Sequence, residues 1–516
     1  MANFKLFNTQ QATVPACDML NAAQAPAYAY TAKHKLAQLA ATGCLSQTFY
    51  ASAESQLENV LQLVTELDSR YVAKAALYAR KKGHMKDMPA LMLAALTAQR
   101  SMLVPELFEQ VVDSGKMLRN FVQILRSGVT GRKSLGSQPK RLVQNWLNNA
   151  SEYQLLQASI GNQPSLADVV KMVHPKPHEA WRAAFFAWLI GKPVDVQTLP
   201  ALTRSLLAFR SGASDEVPQV PFQLLGNETL SKEQWASQAR NMGWQGLRMN
   251  LNTLARHGAF QVPGFAKYAA VRLADAEAVA KARVYPYQLL AAYRMTGNDV
   301  PHVVREALQE ALELSLANVP TLQGSVIVCP DVSGSMHSPV TGYRQGATTA
   351  VRCIDVAALV AAAVLRKQPA AQVMPFETQV VDIQLNPRDS VMSNAAKLAA
   401  IGGGGTNCSA PLAKLANAKA RVDTLILVSD NESWFDARHH GSTETMRQWE
   451  RIKQINPQAR LVCIDMQPGA TTQAADREDI LNVGGFSDAV FDVIEQFTRG
   501  NYGAQHWVKA IEAMEL

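Results

Sequence analysis

The sequence predicts an α/β chain in two parts: an α-solenoid of short stacked helices over residues 15–320, then a parallel, doubly covered α/β domain over 321–516. Three observations carry this. From Ala51 apolar residues recur at helical spacing almost without interruption for more than 250 residues. From Ser325 strand-length apolar runs alternate with helical patterns. The charge also changes sign: residues 1–320 hold 33 Lys/Arg against 23 Asp/Glu, and the remainder 17 against 20.

The 516 residues are enough for two cores, and 18% charged residues with 48% apolar is ordinary globular composition. No apolar run reaches the roughly 18 residues of a membrane span. The first residues lack the apolar core of a secretion signal, so a cytoplasmic protein is expected. The six cysteines, at 17, 44, 329, 353, 408 and 463, form no Cys-x-x-Cys pair; scattered thiols suit a reducing compartment and give no zinc site.

The opening 50 residues show no clean period. Leu57, Val60, Leu61, Val64 and Leu67 then mark one face of a helix. Further helices are predicted over 71–81, 89–99, 105–112, 117–125, 140–147, 166–173, 178–190, 235–255, 269–280 and 303–317. Gly and Pro punctuate them, with Pro near several helix starts, where its missing N–H costs little. Ser165 or Asp168 can cap the helix that Pro175 and Pro177 stop. No fixed repeat length is found.

One stretch stands out for chemistry. Residues 114–151 contain Lys116, Arg119, Arg126, Arg132, Lys133, Lys140 and Arg141 and no acid, beside Phe121 and Trp146. Its centre is rich in Gly and Ser. A flexible basic loop can lay cations and backbone N–H groups on phosphates. A solvated helical face is the plainer explanation of a charge run, but the missing acidic partners favour nucleic acid. Lys171, His174 and Lys176 lie around the end of the 166–173 helix, where cations suit the dipole; on pattern alone a lone His there is more often structural than functional.

In the second part, strands are predicted at 325–329, 372–376, 380–385, 424–428 and 461–464, and helices at 354–365, 394–401, 410–418, 443–455 and 486–497. Asp331, Ser333 and Ser335 place a carboxylate and two hydroxyls at alternating positions on the loop after a buried strand. Thr406 follows four glycines, and Asp430 ends another apolar run. Five hard oxygen donors from three such loops suit one Mg²⁺. This resembles the metal-ion-dependent adhesion site of von Willebrand factor A (vWA) domains, matched at Asp331, Ser333, Ser335, Thr406 and Asp430.

The helical part adds a second resemblance. The basic Gly-rich loop before 142–146, the helix ending His174-Pro-Lys-Pro177, and the segment Lys281-Ala-Arg-Val-Tyr-Pro-Tyr through Gly297 are similar to the TROVE module. Followed by an A domain, their order resembles a bacterial member of the Ro autoantigen family over roughly residues 15–500. The resemblance implies HEAT-like helical repeats closed into a ring by a Rossmann-like vWA domain, without catalysis. It also implies binding of 3′ single-stranded ends of defective RNAs, and of small Y RNAs through the His corresponding to His174. An exoribonuclease partner, notably polynucleotide phosphorylase, is implied as well. The uncharged Gln157-Ala-Ser-Ile-Gly161 departs from the family, which has basic residues there.

Two other functions compete. One is a protein scaffold whose A domain grips a partner's carboxylate; RNA- and salt-dependent affinity discriminates it. The other is an Asp-dependent phosphatase, but such enzymes need a second Asp two residues on as proton donor, and this chain has Ser333. The glycine run lacks the Gly-Lys-Ser/Thr of a phosphate loop.

Overall fold

The computed structural model describes residues 14–516 apart from 44, 48–50, 226–229, 283, 285, 341, 344–350, 435–441, 468, 470, 485–487 and 501–504. Arg283 and Tyr285 of the TROVE-like segment lie outside the described residues. The chain divides into two compact units: 1–60, 285–287 and 316–513 in one, 61–284 with 288–315 in the other. The C-terminal break of the helical unit lies at Ser315, where 320 was expected, and residues 14–60, expected with the helical part, group with the C-terminal unit.

The reason lies in pairing partners. Strands β1 (Met19–Leu20) and β2 (Pro26–Ala29) pair antiparallel, and β2 in turn pairs with a short late strand. A helix at Ala32–Thr42 follows and packs on the helix His506–Glu512. Within it the buried Gln38 donates to the Asn482 carbonyl, 2.9 Å away. Those partners lie more than 400 residues along the chain, where no local pattern reaches.

The C-terminal unit is built on a parallel sheet of β3 (Val326–Pro330), β4 (Gln372–Val373), β5 (Thr424–Ser429), β6 (Arg460–Asp465), β7 (Thr471–Thr472) and β8 (Ile480–Gly484), of which β7 pairs with β2 instead. The five-stranded order is β4-β3-β5-β6-β8, every pair parallel. β3 and β5 are buried at every position, as strands covered on both faces must be. The predicted helices are present at Cys353–Lys367, Val391–Ala399, Ala410–Asn417, Glu444–Ile455 and Asp488–Thr498.

The strand expected over 380–385 is not one. Phe376 and Val380 form a single bridge, and the intervening loop is drawn toward the glycine run instead: Gly405 N–H donates to Thr378 Oγ1 (3.2 Å) and Asn407 N–H to the Glu377 carbonyl (3.0 Å). The Thr378 hydroxyl and the Glu377 carbonyl, just before that segment, hold the site loop.

The other unit consists, in its described residues, of helices and short 3₁₀ turns. Many helices pack on those one or two places away in sequence, as Ser69–Lys81 on Asp87–Ala98, that on Gly115–Ser127, and Ser137–Asn149 on Leu166–Val173, while Phe265–Leu273 packs chiefly on His302–Ser315. Ser165 is the N-cap, its hydroxyl accepting from Asp168 N–H (3.1 Å), while Asp168 reciprocates at Ser165 N–H (3.0 Å). The helix expected over 235–255 is three: Lys232–Asn241, Trp244–Met249 and Leu251–Arg256. Gly243, and Asn250 at φ −110°, break it while the apolar spacing continues in phase. The 269–280 helix likewise splits at Ala274, and Asp275 caps the new start through Ala278 N–H (2.6 Å). No helix among the described residues is long and apolar enough to cross a membrane.

Candidate metal centre and nucleic-acid interface

The five predicted oxygen donors converge at the carboxyl ends of β3 and β5. Asp331 N–H donates to the Val428 carbonyl, continuing the ladder one residue past β3 (2.9 Å). Its carboxylate then folds back: Oδ1 accepts from Ser333 N–H (2.8 Å) and Oδ2 from Ser429 Oγ (2.6 Å). Thr406 Oγ1 donates to Ser333 Oγ (2.9 Å), and Ser333 and Ser335 hydroxyls stand 3.3 Å apart. Ser335 in turn hydrogen-bonds Asp430. Asp331 and Ser333 are fully buried, and Thr406 and Asp430 almost so.

The glycine run serves this geometry. Gly404 has φ +85°, and a Cβ there would collide with the Glu377 carboxylate, as one on Gly405 would with the Trp434 indole. Only bare backbone lets Thr406 reach Ser333, with the Gly404 carbonyl accepting from Gly334 N–H (3.1 Å).

Electrostatically the centre is incomplete. Burial raises the Asp331 carboxyl above the ordinary range, and the charge of Asp430 raises it further; burial likewise raises Asp430. Burial pushes Glu432 up to about 7, with Asp430 adding to it, and holds Asp465 well above its usual range. Among the described residues no Lys or Arg pairs with Asp331 or Asp430. Two buried carboxylates with three hydroxyls and no balancing cation are a hard, anionic oxygen set, which fits Mg²⁺ or Mn²⁺.

Sequence reasoning missed two contributors. Ser429 precedes Asp430 and orients Asp331; a single polar residue ending an apolar strand was the available signal. Glu432 takes Ala22 N–H (2.8 Å), and Asn21 Nδ2 donates to the Ser433 carbonyl (2.7 Å), so the β1–β2 turn latches the loop carrying Asp430. Cys408, beside Thr406, is buried, and its thiol is held well above its ordinary range by burial, which makes it inert.

In the helical unit the ten basic candidates divide. Arg119 is a brace: its guanidinium donates to the carbonyls of Ile160 (2.5 Å) and Pro164 (3.4 Å). Arg132 is another, donating to Ser134 (2.9 Å), Leu135 (2.8 Å) and Thr97 (3.2 Å) carbonyls, and so shapes the basic loop from within. Both differ from the other candidates in that part of each guanidinium is engaged by backbone carbonyls of the fold. Arg126 is exposed and touches Met172 Sδ (2.9 Å). Lys116 is exposed near Lys86, whose ammonium is pushed down by burial and by the Lys116 charge. Lys133, Arg141, Lys171, His174 and Lys176 are exposed and Lys140 half-exposed; none has an ion-pair partner among the described residues.

The structure also joins the basic helix to the His174 turn. Gln144 Nε2 donates to the Val173 carbonyl (2.5 Å) and the His174 carbonyl (3.3 Å), and Asn148 Nδ2 to that of Lys176 (3.4 Å). His174 ends its helix in the left-handed region at φ +52°. Lys140 and Arg141 thus lie on the helix that clamps the turn bearing His174.

A parallel sheet carrying five converging oxygen donors at its carboxyl edge defines a vWA-type domain, here joined to a unit of stacked helices. Residues 325–498 match the family model of the Ro60 vWA domain. The chain is 26% identical to the RNA-binding protein RO60 of Deinococcus radiodurans over 511 residues, spanning 92% of this chain and 94% of that one. It is 22% identical to the RNA-binding protein RO60 of Caenorhabditis elegans over 241 residues, spanning 44% of this chain and 36% of that one. The crystal structure of the Deinococcus radiodurans Ro (RSR) protein superposes with a TM-score of 0.63 at 23% identity, covering 92% of this chain and all of that one. The C-terminal domain is therefore of the Ro60 vWA type, and the likeness to Ro proteins runs through the helical unit as well.

Proposed function

We propose that this chain is a non-catalytic RNA-binding protein. In this reading it engages small structured noncoding RNAs of the Y type, and misfolded RNAs through their 3′ single-stranded tails, for processing by an exoribonuclease such as polynucleotide phosphorylase. The observation that carries the reading is the helix of Lys140 and Arg141, whose Gln144 and Asn148 clamp the turn bearing His174 and Lys176, with none of these four paired to an acid among the described residues. Unpaired cations on a rigid helix suit phosphates, whose contacts release counterions on binding. The names of the relatives point the same way.

Asp331, Ser333, Ser335, Thr406 and Asp430 would hold Mg²⁺ or Mn²⁺, whose remaining coordination position would accept water or a partner's carboxylate. Ser429 and the Asn21–Ala23 turn keep those donors in place. Catalysis finds no support at Asp331, because Ser333 stands where a proton donor would be needed. The five described cysteines are free thiols, in keeping with a reducing cytoplasm.

The test is RNA recovered with the purified protein, sequenced, followed by binding of tailed and blunt RNAs across a salt series. Tailed RNA is expected to bind with an affinity that falls steeply with salt. A protein that carries no RNA and binds neither probe overturns the reading.

A further inference from the structure

A second acid-free stretch lies in the helical unit. Residues 234–274 contain Arg240, Arg248, Arg256, Lys267 and Arg272, with His257, and no Asp or Glu, where the chain's average composition would put about three acids. The same residues hold Trp235, Trp244, Phe260, Phe265 and Tyr268. The helices Lys232–Asn241, Leu251–Arg256 and Phe265–Leu273 pack together around the turn Ala259–Gln261.

Two of the five cations are structural. Arg248 donates to Gln245 Oε1 (2.9 Å) and to the Gln288 carbonyl (3.0 Å). Arg272 donates to the carbonyls of Arg240 (2.7 Å) and Met242 (2.6 Å) and to the Tyr268 hydroxyl (2.7 Å), closing the end of the first helix. The others are turned outward. Arg240 is exposed, and its guanidinium lies over the Tyr268 ring, 4.4 Å from the centroid, while the Tyr268 hydroxyl donates to the Arg240 carbonyl (3.3 Å). One tyrosine therefore fixes both ends of Arg240. Lys267 and Arg256 are exposed, and among the described residues none of the three has an ion-pair partner. Beside Arg256, the exposed His257 stacks on Trp235 at 4.5 Å.

A guanidinium stacked on a ring keeps its N–H groups in its own plane, directed away from the ring and free to fork onto a phosphate. The ring pays the entropy of ordering that long side chain before any ligand arrives. Cations without acids, beside the exposed ring of His257 backed by Trp235, match a strand with exposed phosphates and an unstacked base better than a duplex.

We propose that Arg240 on its Tyr268 shelf, with Lys267 and Arg256, forms a second single-stranded RNA contact, separate in sequence from the 116–176 surface. This rests on the RNA-binding reading above and extends it: the helical unit grips RNA at two places, so affinity grows with strand length until both are reached.

The experiment uses the full chain and a fluorescein-labelled oligouridylate of about 20 nucleotides, with a blunt RNA duplex of the same length as comparison. Arg240→Gln, Arg256→Gln and Lys267→Gln together are expected to lower the log–log salt slope by up to about 2, at about 0.7 per contact, and to weaken oligouridylate more than duplex. Tyr268→Leu leaves every charge in place and is expected to weaken binding through loss of the shelf. Arg240→Gln alone alters one exposed side chain and should melt with the wild type, so a loss of affinity there cannot be unfolding. If the wild type binds and the triple variant matches it in affinity and slope, the second contact is refuted. If the wild type binds neither probe, the RNA-binding reading falls, and this inference with it.

Discussion

Asp331→Asn should reverse its effect on stability with the metal. Without a divalent ion the wild-type protein buries Asp331 and Asp430 side by side, both raised by burial and Asp331 raised further by its neighbour's charge. Asparagine keeps the shape: its Oδ1 still accepts from Ser333 N–H, and the Ser429 hydroxyl, now 2.6 Å from Asp331 Oδ2, can turn to accept from the amide. Replacing a buried carboxylate that has no cation partner by a neutral isostere removes its desolvation cost and its repulsion with Asp430, and so is neutral or stabilising. In EDTA at neutral pH the variant should therefore melt at or above the wild type. With Mg²⁺ at a hundredfold excess over its Kd the wild type should gain about 2.7 kcal/mol by mass action and the variant almost nothing. The order of the two melting curves then inverts. The sign of the pH dependence follows from the same shifts. A carboxyl whose folded pKa lies above its unfolded value contributes stability that is complete below the unfolded pKa and is lost as pH rises through the folded one. In EDTA the wild type should accordingly lose stability between the ordinary carboxylate range and those raised values, and the variant should lose less. Scanning fluorimetry of both proteins, with EDTA and with Mg²⁺, reads all of this. Asp331→Asn melting below the wild type in EDTA, or a wild-type melting temperature indifferent to Mg²⁺, would refute the argument.

Three more outcomes are expected. Lys133→Ala, Lys140→Ala and Arg141→Ala combined should lower the salt slope for tailed RNA by up to about 2, with the melting temperature kept; an unchanged slope removes this surface from the interface. Arg132→Ala should act differently, lowering stability by about 1–3 kcal/mol because two loop carbonyls and one at the end of the helix Asp87–Ala98 lose their donor. His174→Asn should weaken binding of small structured RNA without unfolding the turn, since Asn tolerates φ +52° where Ala would cost roughly 1 kcal/mol. Comparing the Asn and Ala variants by RNA gel shift and thermal melting separates side chain from backbone.

The candidate site was legible to the degree that its information is local. Asp331, Ser333 and Ser335 share one loop, and Thr406 and Asp430 each follow a segment whose composition announces a turn. What escaped is what depends on distant partners. The segment 14–47 looked like the start of the helical part because its own period is weak. Its membership is decided by Asn21 reaching Ser433 and Gln38 reaching Asn482. Charge was equally blind to direction. Arg119, Arg132, Lys133 and Arg141 read alike in a sequence, yet a guanidinium near free carbonyls gains hydrogen bonds there, and the first two brace backbone as a result. The basic surface of 234–274 is hidden in the sequence for a related cause. Its cations are spaced too far apart to look like a run, and only the fold brings Arg240 over Tyr268 and shows that Arg248 and Arg272 are already spent. An acid-free interval is therefore the better sequence signal for such a surface than a dense basic one. It marks where no acid nearby in sequence competes with phosphate for the cations, and the fold then decides which of them stay free.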